Sequence, residues 1–137
     1  MSLAGGASVL NVIISSPASE SLWTVAADTE PTAPIEFSVL SDERSEETVL
    51  RVHGEIDLAT GPALARCIGA AQARRPRRLV LDLEAVSFMD STGLALILEA
   101  NARAAADATE FALARPPRQT QRLLALSGVD RAVAVAA

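Results

Sequence analysis

The sequence has 137 residues, which suits one domain of ordinary size and excludes a large multi-domain enzyme. Half of the residues are hydrophobic, enough for a buried core, but only 3% are aromatic, which leaves few rings for stacking on single-stranded nucleic acid. All 12 basic residues are arginines and 17 residues are acidic, and the resulting net charge of −5 argues against a nucleic-acid partner.

Cysteine and histidine usage excludes two further classes of site. One cysteine, Cys67, cannot form an intramolecular disulfide, and together with the single histidine, His53, it cannot supply a usual structural zinc site. No apolar run approaches the roughly 20 residues of a membrane span. No basic residue precedes Arg44, so the start lacks the charged region of a secretory signal. We therefore expect a cytoplasmic protein with no metal, no cofactor and no membrane insertion.

Residues 1–34 differ from the rest of the chain and are predicted to form a partly irregular N-terminal extension. They contain no basic residue, three acidic residues and three prolines. Two apolar pieces, residues 9–14 and 22–25, could each form a short strand, which the prolines interrupt. The extension could occlude a functional site, pair with a sheet edge or mediate a homodimer.

Regular patterns begin at Ile35 and predict a β-hairpin followed by a helix. Alternating apolar residues from Ile35 predict a strand, residues 42–47 a charged turn, and residues 49–53 a second strand closed by Gly54. Thr60 is the predicted N-cap of a helix with Pro62 in its first turn. The helix ends near residues 74–76, and its apolar face comprises Leu64, Cys67, Ile68 and Ala71.

The second half alternates strands and helices. Residues 79–83 predict a central strand covered on both sides, and after a loop over residues 88–90 a helix begins with Ser91 as its N-cap. That helix is expected to bury Leu94, Leu96, Ile97, Leu98 and Ala102. A strand over residues 111–114, a helix after Pro117 that ends at Gly128 and carries Leu123, Leu124 and Leu126, and a last strand over residues 132–135 complete the prediction. The order β-β-α-β-α-β-α-β indicates an α/β fold with a mixed sheet.

Several polar residues have ordinary structural interpretations. Ser91 is most simply a helix cap, because a serine nucleophile would need Gly in place of Met89, a suitable base and a far longer chain. The arginines of residues 74–78 fit a solvated helix end, and Asp82 needs a partner if the strand buries it. Cys67 fits a small core residue.

A family resemblance rests on three stretches in chain order: Gly-Glu-Ile-Asp at 54–57, residues 79–94 with Met-Asp-Ser-Thr-Gly at 89–93, and residues 122–129. Together they resemble the STAS domain of bacterial anti-sigma factor antagonists over residues 35–137. The resemblance implies a STAS-type mixed β-sheet packed against α-helices. Family members often continue past the last strand into a final helix, so we expect that helix to be trimmed or absent in this sequence.

The resemblance also implies a role for individual residues. The first hydroxyl residue after the aspartate of the Asp-Ser-Ser/Thr-Gly motif corresponds to Ser91, the expected phosphorylation site, and Thr92 fills the second hydroxyl position. Asp57 is expected on the surface that faces the kinase that would phosphorylate Ser91. The rest of the expected partner-binding set is Asp90, Thr92, Gly93 and Leu94.

The implied function is a switch rather than an enzyme. The unphosphorylated protein would bind an anti-sigma factor that is also a serine kinase, and so release the sigma factor. Phosphorylation of Ser91 would end binding, and a metal-dependent PP2C-type phosphatase would reset it. Two alternatives stay open: a STAS scaffold in another assembly, such as a sensor complex or a lipid-transport ATPase, and an enzyme or ligand-binding protein in its own right.

Overall fold

Six strands and four helices follow one another in a computed structural model that describes residues 8–14 and 37–136. The strands are β1 (Ser8–Ile14), β2 (Phe37–Glu43), β3 (Glu47–Ile56), β4 (Arg78–Met89), β5 (Glu110–Ala114) and β6 (Ala134–Ala136). The helices are α1 (Gly61–Ala73), α2 (Ser91–Ala106), α3 (Arg118–Ser127) and the short α4 (Val129–Ala132). From β2 onward the predicted order β-β-α-β-α-β-α-β is confirmed, with α4 as an additional turn of helix.

The strands form one sheet in chain order, β1-β2-β3-β4-β5-β6. The pairs β1–β2 and β2–β3 are antiparallel, whereas β3–β4, β4–β5 and β5–β6 are parallel. The sheet is therefore mixed, as predicted. Helices connect the parallel strands, as such crossovers require.

The predicted hairpin is confirmed, but two of its boundaries were wrong. β2 continues to Glu43, and the N–H of Arg44 donates to the carbonyl of Glu47 over 2.8 Å, so the turn is shorter than residues 42–47. Gly54 does not close β3, which runs on to Ile56. Gly54 has φ +110° and lies beside a shift in register with β4, so it makes a bulge inside the strand.

The apolar core lies between the sheet and the helices. Its largest fully buried side chains include Leu79, Leu81 and Leu83 of β4 and Ile97 of α2. The predicted face of α1 is buried at Leu64, Ile68 and Ala71, and the partly buried Cys67 packs against it. The prediction was wrong for Leu98 and Ala102, which are exposed because α2 turns them away from the sheet.

The extension contributes one strand to the sheet. β1 pairs with β2 over seven residues, from Ser8 opposite Glu43 to Ile14 opposite Phe37. Pairing with a sheet edge was one of the three roles considered for the extension. The predicted strand at residues 22–25 and the start of the next one at Ile35 lie outside the described residues.

Ion pairs occupy the end of the sheet where β4 begins. Arg74, Arg75, Arg77 and Arg78 lie within 4.0 Å of acidic partners on neighbouring elements: Glu43, Asp107, Glu46 and Glu47 respectively. The arginine cluster therefore fits a solvated helix end. Across the parts of the chain that the structure describes, no helix combines the length and apolar character that a membrane crossing needs.

The buried Asp82 has the partners that the sequence required. Arg115 donates to one of its carboxylate oxygens, and the N–H of Glu84 donates to the other over 3.0 Å. Arg51 lies 3.7 Å away on β3. The carboxylate is thus compensated in the middle of the sheet.

Candidate functional site

Two connections lie side by side at the carboxyl ends of β3 and β4. Ile56 of β3 is the register partner of Met89 of β4, and the N–H of Asp90 donates to the carbonyl of Ile56 over 3.1 Å. The loop after β3 and the start of α2 therefore meet at one edge. We call residues 55–60 and 88–93 the strand-end surface.

Asp90, not Ser91, is the N-cap of α2. Its backbone is extended, with φ −110° and ψ −165°, and its Oδ1 accepts the N–H of Thr92 over 2.8 Å. Its carbonyl accepts the N–H of Gly93 over 3.0 Å. The predicted N-cap was therefore wrong by one residue: aspartate and serine cap equally well, and the hydrogen bond to β3 fixes Asp90 in the capping position.

Ser91 is consequently free of any capping role. It is the first residue of α2, it is exposed, and among the described residues its hydroxyl has no hydrogen-bond partner. The hydroxyl stands at the amino end of a 16-residue helix, where the helix dipole favours negative charge. An oxygen in this position can accept a phosphoryl group without loss of a native contact.

Asp57 organises the loop between β3 and α1. Its Oδ1 accepts the N–H groups of Ala59 and Thr60 over 2.9 and 3.1 Å, and its own N–H donates to the Thr60 hydroxyl over 3.0 Å. The Thr60 hydroxyl also donates to the carbonyl of Glu55 over 2.7 Å. Thr60 occupies the predicted N-cap position of α1, but its side chain closes this loop instead of capping the helix.

The remaining predicted site residues differ in exposure. Gly93 is buried, and a Cβ there would clash with Cγ of Met89 and lie 3.1 Å from Cγ2 of Ile56, so its place in the motif follows from the close approach of α2 to the sheet. Thr92 and Leu94 are half-buried, and Leu94 packs against the core. Asp57 and Asp90 are also half-buried, which leaves Ser91 the most exposed of the set.

Three exposed apolar side chains near this edge were missed by the sequence analysis. Leu58 is 80% exposed on the loop after β3, Phe88 is 48% exposed at the end of β4, and Leu126 of α3 is 80% exposed. Phe88 and Leu126 line one groove together with Met89 and Leu123. A signal existed for Leu126: it lies two residues beyond the buried Leu124, and that spacing turns a helical side chain to another face.

The strand-end surface carries uncompensated negative charge. Glu55, Asp57 and Asp90 have no arginine within 4.0 Å among the described residues, although eight of the 12 arginines pair with acids elsewhere. In the same part of the chain, no three histidine, cysteine, aspartate or glutamate side chains are grouped so as to hold a metal ion. The surface is thus suited to contact with a protein that carries complementary positive charge.

Comparison with known proteins decides the family. A family profile described as the STAS domain matches residues 38–137. The chain belongs to the STAS domain family. The match contains both halves of the strand-end surface and begins after β1.

Relatives of this STAS domain carry related names. It is 36% identical over 99 residues to the anti-sigma-F factor antagonist RsfB of Mycobacterium tuberculosis. The alignment covers 72% of this chain and 80% of that protein. A crystal structure of an anti-sigma factor antagonist from Mycobacterium paratuberculosis superposes with a TM-score of 0.69 at 32% identity, covering 77% of this chain and 90% of the other. The anti-sigma factor antagonist SpoIIAA, 25% identical, superposes in its unphosphorylated form with a TM-score of 0.61 over 74% of this chain and 88% of the other. The structure of SpoIIAA is also known in the phosphorylated form, with a TM-score of 0.56 and 91% of that chain covered.

Proposed function

We propose that this STAS domain is an anti-sigma factor antagonist whose binding to an anti-sigma factor serine kinase is switched off by phosphorylation of Ser91. The observation that carries the proposal is the exposed Ser91 hydroxyl at the start of α2. This hydroxyl does not cap the helix, because Asp90 does so. The names of the similar proteins, and the existence of a phosphorylated form of SpoIIAA, support the same function.

The unphosphorylated strand-end surface offers both apolar and acidic contacts. Leu58 is exposed on the loop after β3, and Phe88 is exposed at the end of β4, three residues before Ser91. Burial of large apolar side chains supplies most of the free energy of a protein interface, and charged groups around them set specificity and association rate. In the proposed complex the kinase covers Ser91, contacts Asp57 and displaces water from these apolar side chains.

Phosphorylation is a transfer in which this chain is the substrate. The Ser91 oxygen forms a bond to the γ-phosphorus of ATP held by the kinase, the bond between that phosphorus and the bridging oxygen breaks, and ADP leaves. The hydroxyl proton passes to a base of the kinase. A PP2C-type phosphatase reverses the modification with water, which releases inorganic phosphate and restores the hydroxyl.

The added phosphate acts on the interface rather than on the fold. It brings about −1.5 to −2 charges and three acceptor oxygens, which the amino end of a helix tolerates. Asp90 directly precedes Ser91, and its N–H donates to the carbonyl of Ile56, the residue before Asp57, so a bound partner would have to bury the phosphate beside two further acids. A change from 99% to 1% bound requires about 5.5 kcal/mol, which an uncompensated buried charge can supply.

The test compares baits that differ only at Ser91. Wild type, Ser91→Ala and Ser91→Asp are immobilised, incubated with lysate of the source cell and ATP, and analysed by mass spectrometry. The proposal expects a kinase-like anti-sigma factor on Ser91→Ala that is lost from Ser91→Asp, and one phosphoryl group on Ser91 of the wild type.

A fourth bait controls for added charge. Ser45 is exposed in the hairpin turn at the other end of β3, so Ser45→Asp adds the same charge away from the strand-end surface. The substitution is made in the Ser91→Ala background, because an intact Ser91 would be phosphorylated in the presence of ATP, and this double variant should retain the anti-sigma factor. Retention of one different partner by all four baits would contradict the proposal and favour a STAS scaffold in another assembly.

A further inference from the structure

The amino ends of α1 and α2 pack closely, with little space beside Gly61. Gly61 is the first residue of α1 and Thr92 the second residue of α2. A Cβ at Gly61 would lie 2.7 Å from Cγ2 of Thr92, which is closer than non-bonded carbon atoms normally approach, so one of the two groups would have to move. The methyl group of Thr92 therefore occupies the space that a larger residue at position 61 would need.

Space, not backbone conformation, requires glycine at this position. The glycines of the described chain with positive φ are Gly54 and Gly128, and Gly61 is not among them. Gly69, on the same helix, provides the contrast, because a Cβ there would meet nothing within 4 Å. The requirement at position 61 thus comes from Thr92.

The contact joins the two halves of the strand-end surface. The N–H of Gly61 donates to the carbonyl of Asp57 over 2.8 Å, which ties Gly61 to the loop that presents Asp57. The N–H of Thr92 donates to Asp90 over 2.8 Å, and Thr92 directly follows Ser91. Through these two hydrogen bonds, we expect a displacement at either residue to change the spacing between Asp57 and Ser91.

We propose that Gly61 and Thr92 form a matched positioning pair, which sets the spacing between Asp57 and Ser91 and so the fit of this surface to the kinase. This inference rests on the proposed function, because it assumes that one partner reads both residues. Neither residue takes part in the transfer itself. In this pair Thr92 acts through its methyl group, which packs between the amino ends of the two helices and positions them.

The test is a double-mutant cycle with a matched control. Gly61→Ala introduces the clash, Thr92→Ser removes the methyl group that causes it, and the double variant restores the sum of the two volumes. Gly69→Ala adds the same methyl group to the same helix in open space. All four are compared with wild type for the initial rate of Ser91 phosphorylation by source-cell lysate and labelled ATP. Amide chemical shifts of residues 57–60 and 91–93, together with thermal unfolding, are recorded without the kinase.

Gly61→Ala should slow phosphorylation by about tenfold or more, because a displacement near 1 Å can cost up to about 100-fold in a positioned reaction. It should also shift the amides of residues 57–60 and 91–93. The double variant should recover most of the rate and return the shifts towards those of wild type. Gly69→Ala should phosphorylate at the wild-type rate.

Several outcomes would overturn the pairing. If Gly61→Ala reacts at the wild-type rate with unchanged amide shifts, Thr92 simply rotates its methyl group away. If Thr92→Ser does not rescue Gly61→Ala, glycine is needed for another reason. If wild type is never phosphorylated, the proposed function fails. The amide shifts and the thermal unfolding of the four variants then still show whether the effects of Gly61→Ala and Thr92→Ser are coupled, and so whether the two residues form a pair.

Discussion

At the scale of single residues, Asp90 caps α2, and its neighbour Ser91 is the proposed phosphate acceptor. We expect Asp90→Ala to lower the free energy of unfolding by about 1 kcal/mol, because the N–H of Thr92 loses its acceptor. Ser91→Ala should change it by less than about 0.5 kcal/mol, since the side chain is exposed. Urea titration of both variants measures this difference. Asp90→Asn, which keeps a capping oxygen, is the control, and a larger loss for Ser91→Ala than for Asp90→Ala would show that serine is the cap in solution.

Cys67 gives the protein a predictable response to alkaline pH. Burial raises the pKa of its thiol to about 11, against a smaller opposing effect of Arg66. The unfolded thiol ionises near pH 8.5, so between about pH 8.5 and 11 only the unfolded chain gains from losing the proton, and stability falls as pH rises.

The sequence contains few other side chains that could change stability in this pH range. It contains no lysine and no tyrosine, and arginines keep their protons through this range. Chemical denaturation at several pH values should therefore show a decline that disappears in Cys67→Ala. A decline of equal slope in Cys67→Ala would refute the assignment to the thiol.

At the scale of elements, the junction of α3 and α4 depends on one left-handed residue. Gly128 has φ +82°, and a Cβ there would meet nothing within 4 Å, so only the backbone conformation opposes substitution. We expect Gly128→Ala to cost about 1 kcal/mol of stability. Gly69→Ala, in equally open space on a regular helix, should instead be neutral or stabilise by up to about 1 kcal/mol. Thermal unfolding of the pair checks this, and equal effects would show that φ is not the cause.

Element types could be predicted because their periodicity is local, whereas several boundaries depend on partners that are distant in sequence. β4 extends through Phe88 and Met89 because these residues pair with Glu55 and Ile56 of β3. Gly54 looked like a terminator, but the neighbouring strand continues past it and turns it into a bulge.

The same limit applies to the candidate site. The motif around Ser91 was visible in the sequence, and the family assignment it suggested is confirmed. The choice between Asp90 and Ser91 as the cap was not visible, since both residue types suit the position and a hydrogen bond to Ile56 decides it. The contact between Gly61 and Thr92 joins residues 31 positions apart, so no local pattern reveals it.

At the scale of the whole molecule, charge is distributed unevenly. The arginines of residues 74–78 are neutralised by acidic partners at one end of β4, while Glu55, Asp57 and Asp90 at the other end have no arginine within 4.0 Å among the described residues. We therefore expect the negative charge of the strand-end surface to attract a positively charged partner.

This arrangement predicts a salt-dependent association rate. Between 50 and 500 mM salt the association rate constant with the anti-sigma factor should fall by about tenfold or more, while the dissociation rate changes less. Surface plasmon resonance at stepped ionic strength measures both. Glu55→Gln should make the association rate constant less dependent on salt. Glu99→Gln, which removes an exposed acid further along α2, should keep a steeper salt dependence than Glu55→Gln. A rate independent of salt would contradict electrostatic steering.

The cap at Asp90 also bears on how such a switch can change over evolutionary time. Because the carboxylate of Asp90 caps the helix, folding does not require a capping side chain at position 91. Under the proposed function, exchange of serine there for threonine, aspartate or alanine would give a switch with altered kinetics, a permanently released form or a permanently bound one. Regulation can therefore be gained or lost by single substitutions that leave the domain itself intact.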